Sequence, residues 1–293
     1  MVLRQNFLAC IKTITEYFEP LTLNADKDDY NGSKAITVPW GKRNPNTVRY
    51  LSINEPVIQN NPNGYASILK DDIVCIDVDN TYTAEKLLNI IKREGIKSFA
   101  VRTLDGIHFY FKQDCVESPV KKHAKDMQLA CGIIADIKPG NKNAYAILKI
   151  QGKEREVLMA PENGIIDELP AWLYPLKVNE GVQYLNVVDL KEGGRNNSLI
   201  HALYYIFKAT GTIENTRTTC RIINKYLFAE PLDDNEIKTI TRDSIFASFN
   251  YRGNSLNPDD KQTIDGHRKV SKGNIIRDIS FSIISDYLVR SKN

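Results

Sequence analysis

Long hydrophobic runs are missing from this chain of 293 residues. The longest unbroken apolar stretches hold only four to six residues, as at Ile73 to Ile76, far short of the ~20 that a membrane-spanning helix needs. No membrane partner is therefore expected. Cysteine is sparse, with Cys10, Cys75, Cys115, Cys131 and Cys220 forming an odd set without a Cys-x-x-Cys pair. That excludes a disulfide framework and fits the reduced thiols of a cytosolic protein. Cys115, His123 and Cys131 match no common zinc spacing and have no evident fourth ligand, so zinc is not expected. Between Met1 and Ile11, Arg4, Gln5 and Asn6 interrupt any apolar leader core, so cytoplasmic residence is expected. A large excess of one charge is missing too: 39 Lys and Arg face 36 Asp and Glu, a net +3. The excess lies from Gly193 onward, where 15 basic residues face 11 acidic ones. That balance permits a polyanionic partner without demanding one.

What is present is a globular composition, 42% hydrophobic and 26% charged, long enough for one large or two ordinary domains. Phe7, Leu8, Ile11, Ile14 and Phe18 lie on one helical face, predicting a helix over 6–18 before Pro20. A polar loop follows over 24–34. Short strands are then expected at 35–38, 66–69, 73–79, 98–103, 108–112, 133–137, 144–150 and 157–159. One helix, at 83–94, is expected among them, capped by Thr81 or Thr83. Prolines and glycines crowd 161–194 and mark a connecting segment. Helical stripes resume at Leu199 to Phe207, at Ile222 to Leu227, and from Asp233 or Asp234 through Ile237, Ile240 and Ile245. The organisation expected is therefore an α+β domain over 1–165, a linker over 166–194, a small all-α domain over 195–248, and a polar segment with a terminal helix over 249–293.

Chemistry concentrates in three strands. Ile73-Val74-Cys75-Ile76-Asp77-Val78-Asp79 is a buried strand ending in two carboxylates, which period two puts on one face. Two acids losing solvent side by side call for a positive charge, for which a divalent metal is the usual answer. In Arg102-Thr103-Leu104-Asp105-Gly106-Ile107-His108-Phe109-Tyr110-Phe111 a tight turn opens a strand whose His108 and Tyr110 share a face. Ile133-Ile134-Ala135-Asp136-Ile137-Lys138 again carries a carboxylate near a strand end, with Lys138 on the same face. Brought together in one sheet, these strands assemble three acids, an imidazole and an ammonium. Such a set suits Mg²⁺- or Mn²⁺-dependent phosphoryl or nucleotidyl transfer.

Taken in order, the three segments resemble the signature of the archaeo-eukaryotic primase superfamily, in particular the prim-pol domain of phage and plasmid replication proteins. The matching parts are Asp77 and Asp79, then Thr103 to His108, then Asp136 followed by Gly140 and Asn143-Ala144-Tyr145. Val38-Pro39-Trp40-Gly41-Lys42-Arg43-Asn44-Pro45 is similar to the family's N-terminal pattern, and Glu192-Gly193-Gly194-Arg195-Asn196-Asn197-Ser198-Leu199 to the start of its helical domain. Leu104-Asp105 departs from it, standing where the family has Ser-Gly. The resemblance covers roughly residues 35 to 248.

It implies a prim-pol fold with a mixed or antiparallel RRM-like catalytic sheet, and primer synthesis or extension on single-stranded DNA from nucleoside triphosphates. Asp77, Asp79 and Asp136 would hold two Mg²⁺ or Mn²⁺ ions. His108, with Arg102, Thr103, Lys138 and Tyr145, would bind the nucleotide. Arg195, Lys208, Arg217, Arg221 and Lys225 would follow the template. In that family the domain adjoins a helicase domain or protein; no Gly-x-x-x-x-Gly-Lys-Ser/Thr loop occurs in the sequence, so that activity would be absent or lie beyond the polar tail. A phage-encoded chain would work in the host cytoplasm. Two other readings stay open. Asp77-Val78-Asp79-Asn80-Thr81 is also similar to the nucleophile motif of haloacid-dehalogenase-like phosphatases, with Asp77 attacking. A nucleic-acid-binding module without activity is the other.

Overall fold

The computed structural model describes residues 18–22, 65–114, 120–142, 144–150, 153–161, 164–176, 187–191 and 193–254. Its centre is strand β3 (Ile73–Val78), all six residues of which are buried. The β-branched run that predicted a central strand sits between two partners, β5 (Ile107–Lys112) and β7 (Ile134–Pro139), both antiparallel to it. Outside them lie β4 (Phe99–Arg102) and β10 (Val157–Met159) on one side and β6 (Ala124–Gln128) on the other, giving the order β10-β4-β5-β3-β7-β6. A second antiparallel sheet has the order β1-β2-β8-β9, from β1 (Phe18–Thr22), β2 (Tyr65–Leu69), β8 (Tyr145–Ile150) and β9 (Lys153–Glu154). The fold is α+β, built on open antiparallel sheets.

Helix α1 (Thr81–Arg93) links β3 to β4. β3 and β4 run in the same direction with β5 antiparallel between them, a split β-α-β arrangement. The helix starts earlier than the sequence predicted. Asn80, not a threonine, is its cap, accepting from the Thr83 N–H at 2.9 Å. The Thr81 hydroxyl is used elsewhere, donating to the Asp105 carbonyl at 2.9 Å.

Three strands escaped the sequence pattern: β1, β6 and β9. β1 contains Pro20, tolerable because the strand lies at a sheet edge and pairs only with β2. The helix expected over 6–18 falls outside the described residues, save that Phe18 opens β1. The strand expected at 35–38 lies outside them as well.

The helices are α2 (Arg195–Thr210), α3 (Ile213–Ile222), α4 (Asp234–Ile240) and α5 (Asp243–Asn254). Gly211, with φ of 79°, ends α2 in the left-handed conformation that favours glycine. The stripe at 222–227 is not plain α-helix, because residues Ile223–Leu227 form a π turn. The helix expected to run from Asp233 through Ile245 is broken in two. The Arg217 guanidinium takes the Thr241 carbonyl with two bonds of 3.1 Å, and α5 starts afresh at Asp243. Asp233 and Glu236 close a capping box on α4.

One face of the six-stranded sheet, with Val74, Ile76, Phe109 and Phe111, shares a continuous core with α1 and with Leu203, Ile206, Ile223 and Phe246 of the helices. Leu169, Trp172, Leu173 and Leu176, from the segment rich in breakers, belong to that core. The opposite face carries a smaller cluster including Cys75, Phe99, Val101 and Tyr110, closed over by Leu69, Ala144 and Ala146. Among the described residues no helix is long and apolar enough to cross a membrane.

Polar contacts fasten α1 to the later parts of the chain: Lys86 pairs with Asp189 in the turn before α2, and Glu94, at the end of α1, accepts from Lys225 at 3.1 Å and from the Tyr226 hydroxyl. The Tyr226 bond is the leading reason that Glu94 titrates below its ordinary range, outweighing its partial burial. A depressed carboxylate stabilises the fold above its unfolded pKa and loses that effect as pH falls through the folded one. Tyr226→Phe is therefore expected to cost about 1 kcal/mol in urea unfolding at pH 7. The difference from the parent protein should narrow as the pH is lowered from 7 to 3. An equal difference at both pH values would detach the Tyr226 bond from Glu94 ionisation.

Candidate metal centre

The sheet register assembles the site. Asp77 on β3 stands opposite His108 on β5 and opposite Asp136 on β7, and Cys75 stands opposite Tyr110 and Lys138. All six therefore point to the face away from α1. Asp79 follows one residue beyond the strand, on the same side. Asp77, Asp79 and Asp136 each offer a carboxylate oxygen, and these atoms lie within 4.8 Å of one another. Asp77 is 4% exposed, Asp136 is intermediate, and Asp79 is at the rim.

Asp77 Oδ2 accepts from His108 Nε2 at 3.0 Å and also from the Lys138 ammonium. Burial by itself would raise the Asp77 carboxyl, but the hydrogen bond from His108, with the charge and hydrogen bond of Lys138, prevails and holds it well below the usual carboxylate range. Asp79 moves the other way, raised by partial burial and by the neighbouring Asp77 and Asp136. Lys138 would be lowered by burial, yet Cys75, Asp77 and Asp136 beside it keep its ammonium above the ordinary range. Asp136 Oδ1 accepts the Asp126 N–H at 2.9 Å. That N–H is turned inward by a register irregularity in β6, where Asp126 has φ of 49°.

A hard divalent cation fits this set. The donors are oxygens alone, the ligand type of hard divalent cations rather than of softer metals. Asp77 Oδ1 is also buried without a hydrogen-bond partner among the described residues, a condition that a buried polar atom rarely tolerates.

Two close backbone approaches hold the framework. A Cβ on Gly106 would lie 1.7 Å from the Val78 carbonyl oxygen, and one on Gly140 would lie 1.8 Å from that of Lys70. Glycine lets the β4–β5 turn abut the end of β3, and the end of β7 abut the loop before it. Thr103 completes the turn, its hydroxyl accepting the Gly106 N–H at 3.0 Å. Leu104 and Asp105 are both exposed.

Other residues singled out in the sequence lie apart from this cluster or at its flank. Arg102 stands opposite Ile107, not His108, so it emerges on the α1 side, where it binds Glu85 and Glu156 at 2.8 Å each. Tyr145, on β8, is half-buried; burial raises its phenol while the Lys138 charge opposes the rise. Arg195 donates to the Glu230 and Pro231 carbonyls, Arg217 also to Asp243 at 2.6 Å, and Lys225 to Glu94. Lys208 lies over the Tyr204 ring at 5.6 Å, and the Arg221 charge acts on Glu94. Cys115 falls outside the described residues. His123 Nε2 meets the Lys142 carbonyl at 2.8 Å, and burial pushes the Cys131 thiol up to about 12. Sequence reasoning missed two contributors. Tyr110 had a visible signal, its period-two spacing from His108; Asp126 had none, since its strand lacks an apolar stripe.

Comparison of the chain with protein-family models, with curated proteins and with solved structures returns no match.

Proposed function

We propose that the chain is a metal-dependent nucleotidyltransferase that makes or extends a primer on single-stranded DNA. The observation that carries this reading is the convergence of Asp77, Asp79 and Asp136 from two adjacent strands, beside His108 and Lys138. Those residues are the ones the prim-pol resemblance marks, in the same order, and the split β-α-β order of β4-β5-β3-β7 is what an RRM-like catalytic sheet requires. Mg²⁺ or Mn²⁺ held by the three carboxylates supplies Lewis-acid activation and charge neutralisation at phosphate oxygens.

In the reaction proposed, the primer 3′-hydroxyl gives up its proton to water as its oxygen bonds to the α-phosphorus of a nucleoside triphosphate, while the bond from that phosphorus to the oxygen bridging to the β-phosphate breaks and pyrophosphate leaves with that oxygen. Among the described residues Lys138 is best placed to meet the triphosphate, being partly exposed at the site and held in its charged form. Tyr145 flanks it, within reach of the same charge. The near-complete burial of Asp77, 4% exposed, argues against a phosphatase using it as nucleophile, because an attacking oxygen needs an open in-line path to phosphorus.

Incubation of the protein with labelled nucleotide, Mn²⁺ and a primed or an unprimed single strand tests the proposal. Product longer than the primer is expected, and its loss in Asp77→Ala with Asp79→Ala. Extension surviving that double change would overturn the assignment. Phosphate release from a small ester without extension would favour the phosphatase, and tight DNA binding without turnover a binding module.

A further inference from the structure

His108 is held on both sides. Its Nε2 lies 3.0 Å from Asp77 Oδ2, and its Nδ1 lies 2.9 Å from the Tyr110 hydroxyl. An ionised carboxylate only accepts, so the hydrogen on Nε2 belongs to the ring and is donated to Asp77. In the tautomer that carries its hydrogen on Nε2, Nδ1 is an acceptor, and the Tyr110 O–H donates to it. Tyr110 is fully buried, with Phe99 at 5.7 Å and the His108 ring edge-on at 5.9 Å. Its hydroxyl is locked in place by packing, and burial raises its pKa far above the ordinary value, so the donor hydrogen is present at any working pH.

We propose that His108 and Tyr110 are positioning residues for the cation site: Tyr110 sets the His108 tautomer, and His108 together with Lys138 saturates Asp77 Oδ2, leaving Oδ1 alone to bind the ion. Two strong donors converge on Oδ2 while the buried Oδ1 has no hydrogen-bond partner among the described residues. A carboxylate so divided is turned into a one-oxygen ligand of fixed orientation. With both ring nitrogens engaged and its side chain 12% exposed, His108 acts through Asp77 rather than on a triphosphate. Partners one step removed from a metal commonly set ligand orientation in this way, and removing one typically costs 10–100-fold in metal affinity.

This inference rests on Asp77, Asp79 and Asp136 forming a cation site, and not on which reaction that site performs. Mn²⁺ binding to the full chain, followed by the electron paramagnetic resonance signal of the free ion without nucleotide, is the readout. Tyr110→Phe keeps the core volume and removes one oxygen; it is expected to weaken Mn²⁺ roughly tenfold. His108→Leu should weaken it at least as much, and His108→Gln, whose amide can still donate to Oδ2, should recover part of the loss. Because Tyr110 acts through His108, adding Tyr110→Phe to His108→Leu should bring little further change. In the ¹⁵N spectrum of the parent protein, His108 should show a protonated Nε2 and a bare Nδ1, and Tyr110→Phe should shift the Nδ1 signal.

Unchanged Mn²⁺ affinity in both Tyr110→Phe and His108→Leu would overturn the proposal, as would strictly additive losses or a parent ring protonated at Nδ1. Should Tyr110→Phe fail to fold, the contrast of His108→Leu with His108→Gln still decides whether the donor to Oδ2 matters. Absence of Mn²⁺ binding by the parent protein sinks the inference outright. Normal Mn²⁺ behaviour with no primer extension would overturn nucleotidyl transfer alone and leave the positioning role standing.

Discussion

Gly106→Ala is expected to lower the thermal unfolding midpoint by about 6–12 °C, the consequence of roughly 3 kcal/mol in a protein of this size. The new methyl would meet three backbone atoms: the Val78 oxygen at 1.7 Å, the Val78 carbon at 2.7 Å and Asp79 Cα at 3.0 Å. Backbone cannot rotate away as a flexible side chain does, so the turn from Thr103 to Gly106 or the end of β3 has to move. Either shift disturbs Asp79 directly and strains the Thr81 to Asp105 bond that ties the two segments. Weaker Mn²⁺ binding should therefore accompany the lost stability. Leu104→Ala, two residues away, is the control: its side chain is 57% exposed, and a change of under about 0.5 kcal/mol is expected. A midpoint for Gly106→Ala within 2 °C of the parent protein, measured by circular dichroism, would mean that the turn does not abut β3.

That prediction draws on something only partly legible in the sequence. Asp105-Gly106 announces a turn, but which backbone crosses the glycine is a tertiary fact. The same division runs through the fold. The apolar run Ile73 to Ile76 was enough to identify a central strand, because burial on both faces removes alternation and leaves a continuous hydrophobic signal. Convergence of Asp77, His108 and Asp136 followed from period two once their strands are neighbours. β6, with the sequence Ala-Lys-Asp-Met-Gln, has no stripe to read; it forms because β7 offers an unpaired edge. β1 was obscured by its own proline, which edge pairing permits.

Side-chain facing was legible in one case and misjudged in another. His108 and Tyr110 share a face, as alternation required. The same alternation places Arg102 across from Ile107 and so on the α1 side of the sheet, whereas the resemblance implied a nucleotide contact for it. The break between α4 and α5 was hidden for a different reason. Nothing local interrupts the pattern around Thr241, and the helix ends because Arg217, far away in the chain, captures its carbonyl. Long-range hydrogen bonds of this kind carry no periodic signature.

Asp77→Asn and Asp79→Asn are expected to abolish Mn²⁺-supported primer extension alike, each by at least 10²–10³-fold, yet to move the stability of the metal-free protein in opposite directions. Asp77 is the anion that His108 and Lys138 share, and Lys138 is only 28% exposed. An amide in its place leaves that ammonium poorly compensated, at a cost of about 1–3 kcal/mol once solvent screening is allowed for. Asp79 has no such partner charge to itself; it is crowded by Asp77 and Asp136, which together with partial burial disfavour its ionised form. Removing that charge relieves repulsion, for a gain of about 0.5 kcal/mol at the partly screened rim. Opposite shifts in urea midpoint at neutral pH, with equal loss of extension and of Mn²⁺ affinity, are the signature of a carboxylate cluster built around an absent positive charge. Saturating Mn²⁺ should stabilise the parent protein by mass action and leave both variants where they were. If Asp79→Asn destabilises the metal-free protein, or if either variant keeps the parent's Mn²⁺-induced rise, the three carboxylates do not act as one site.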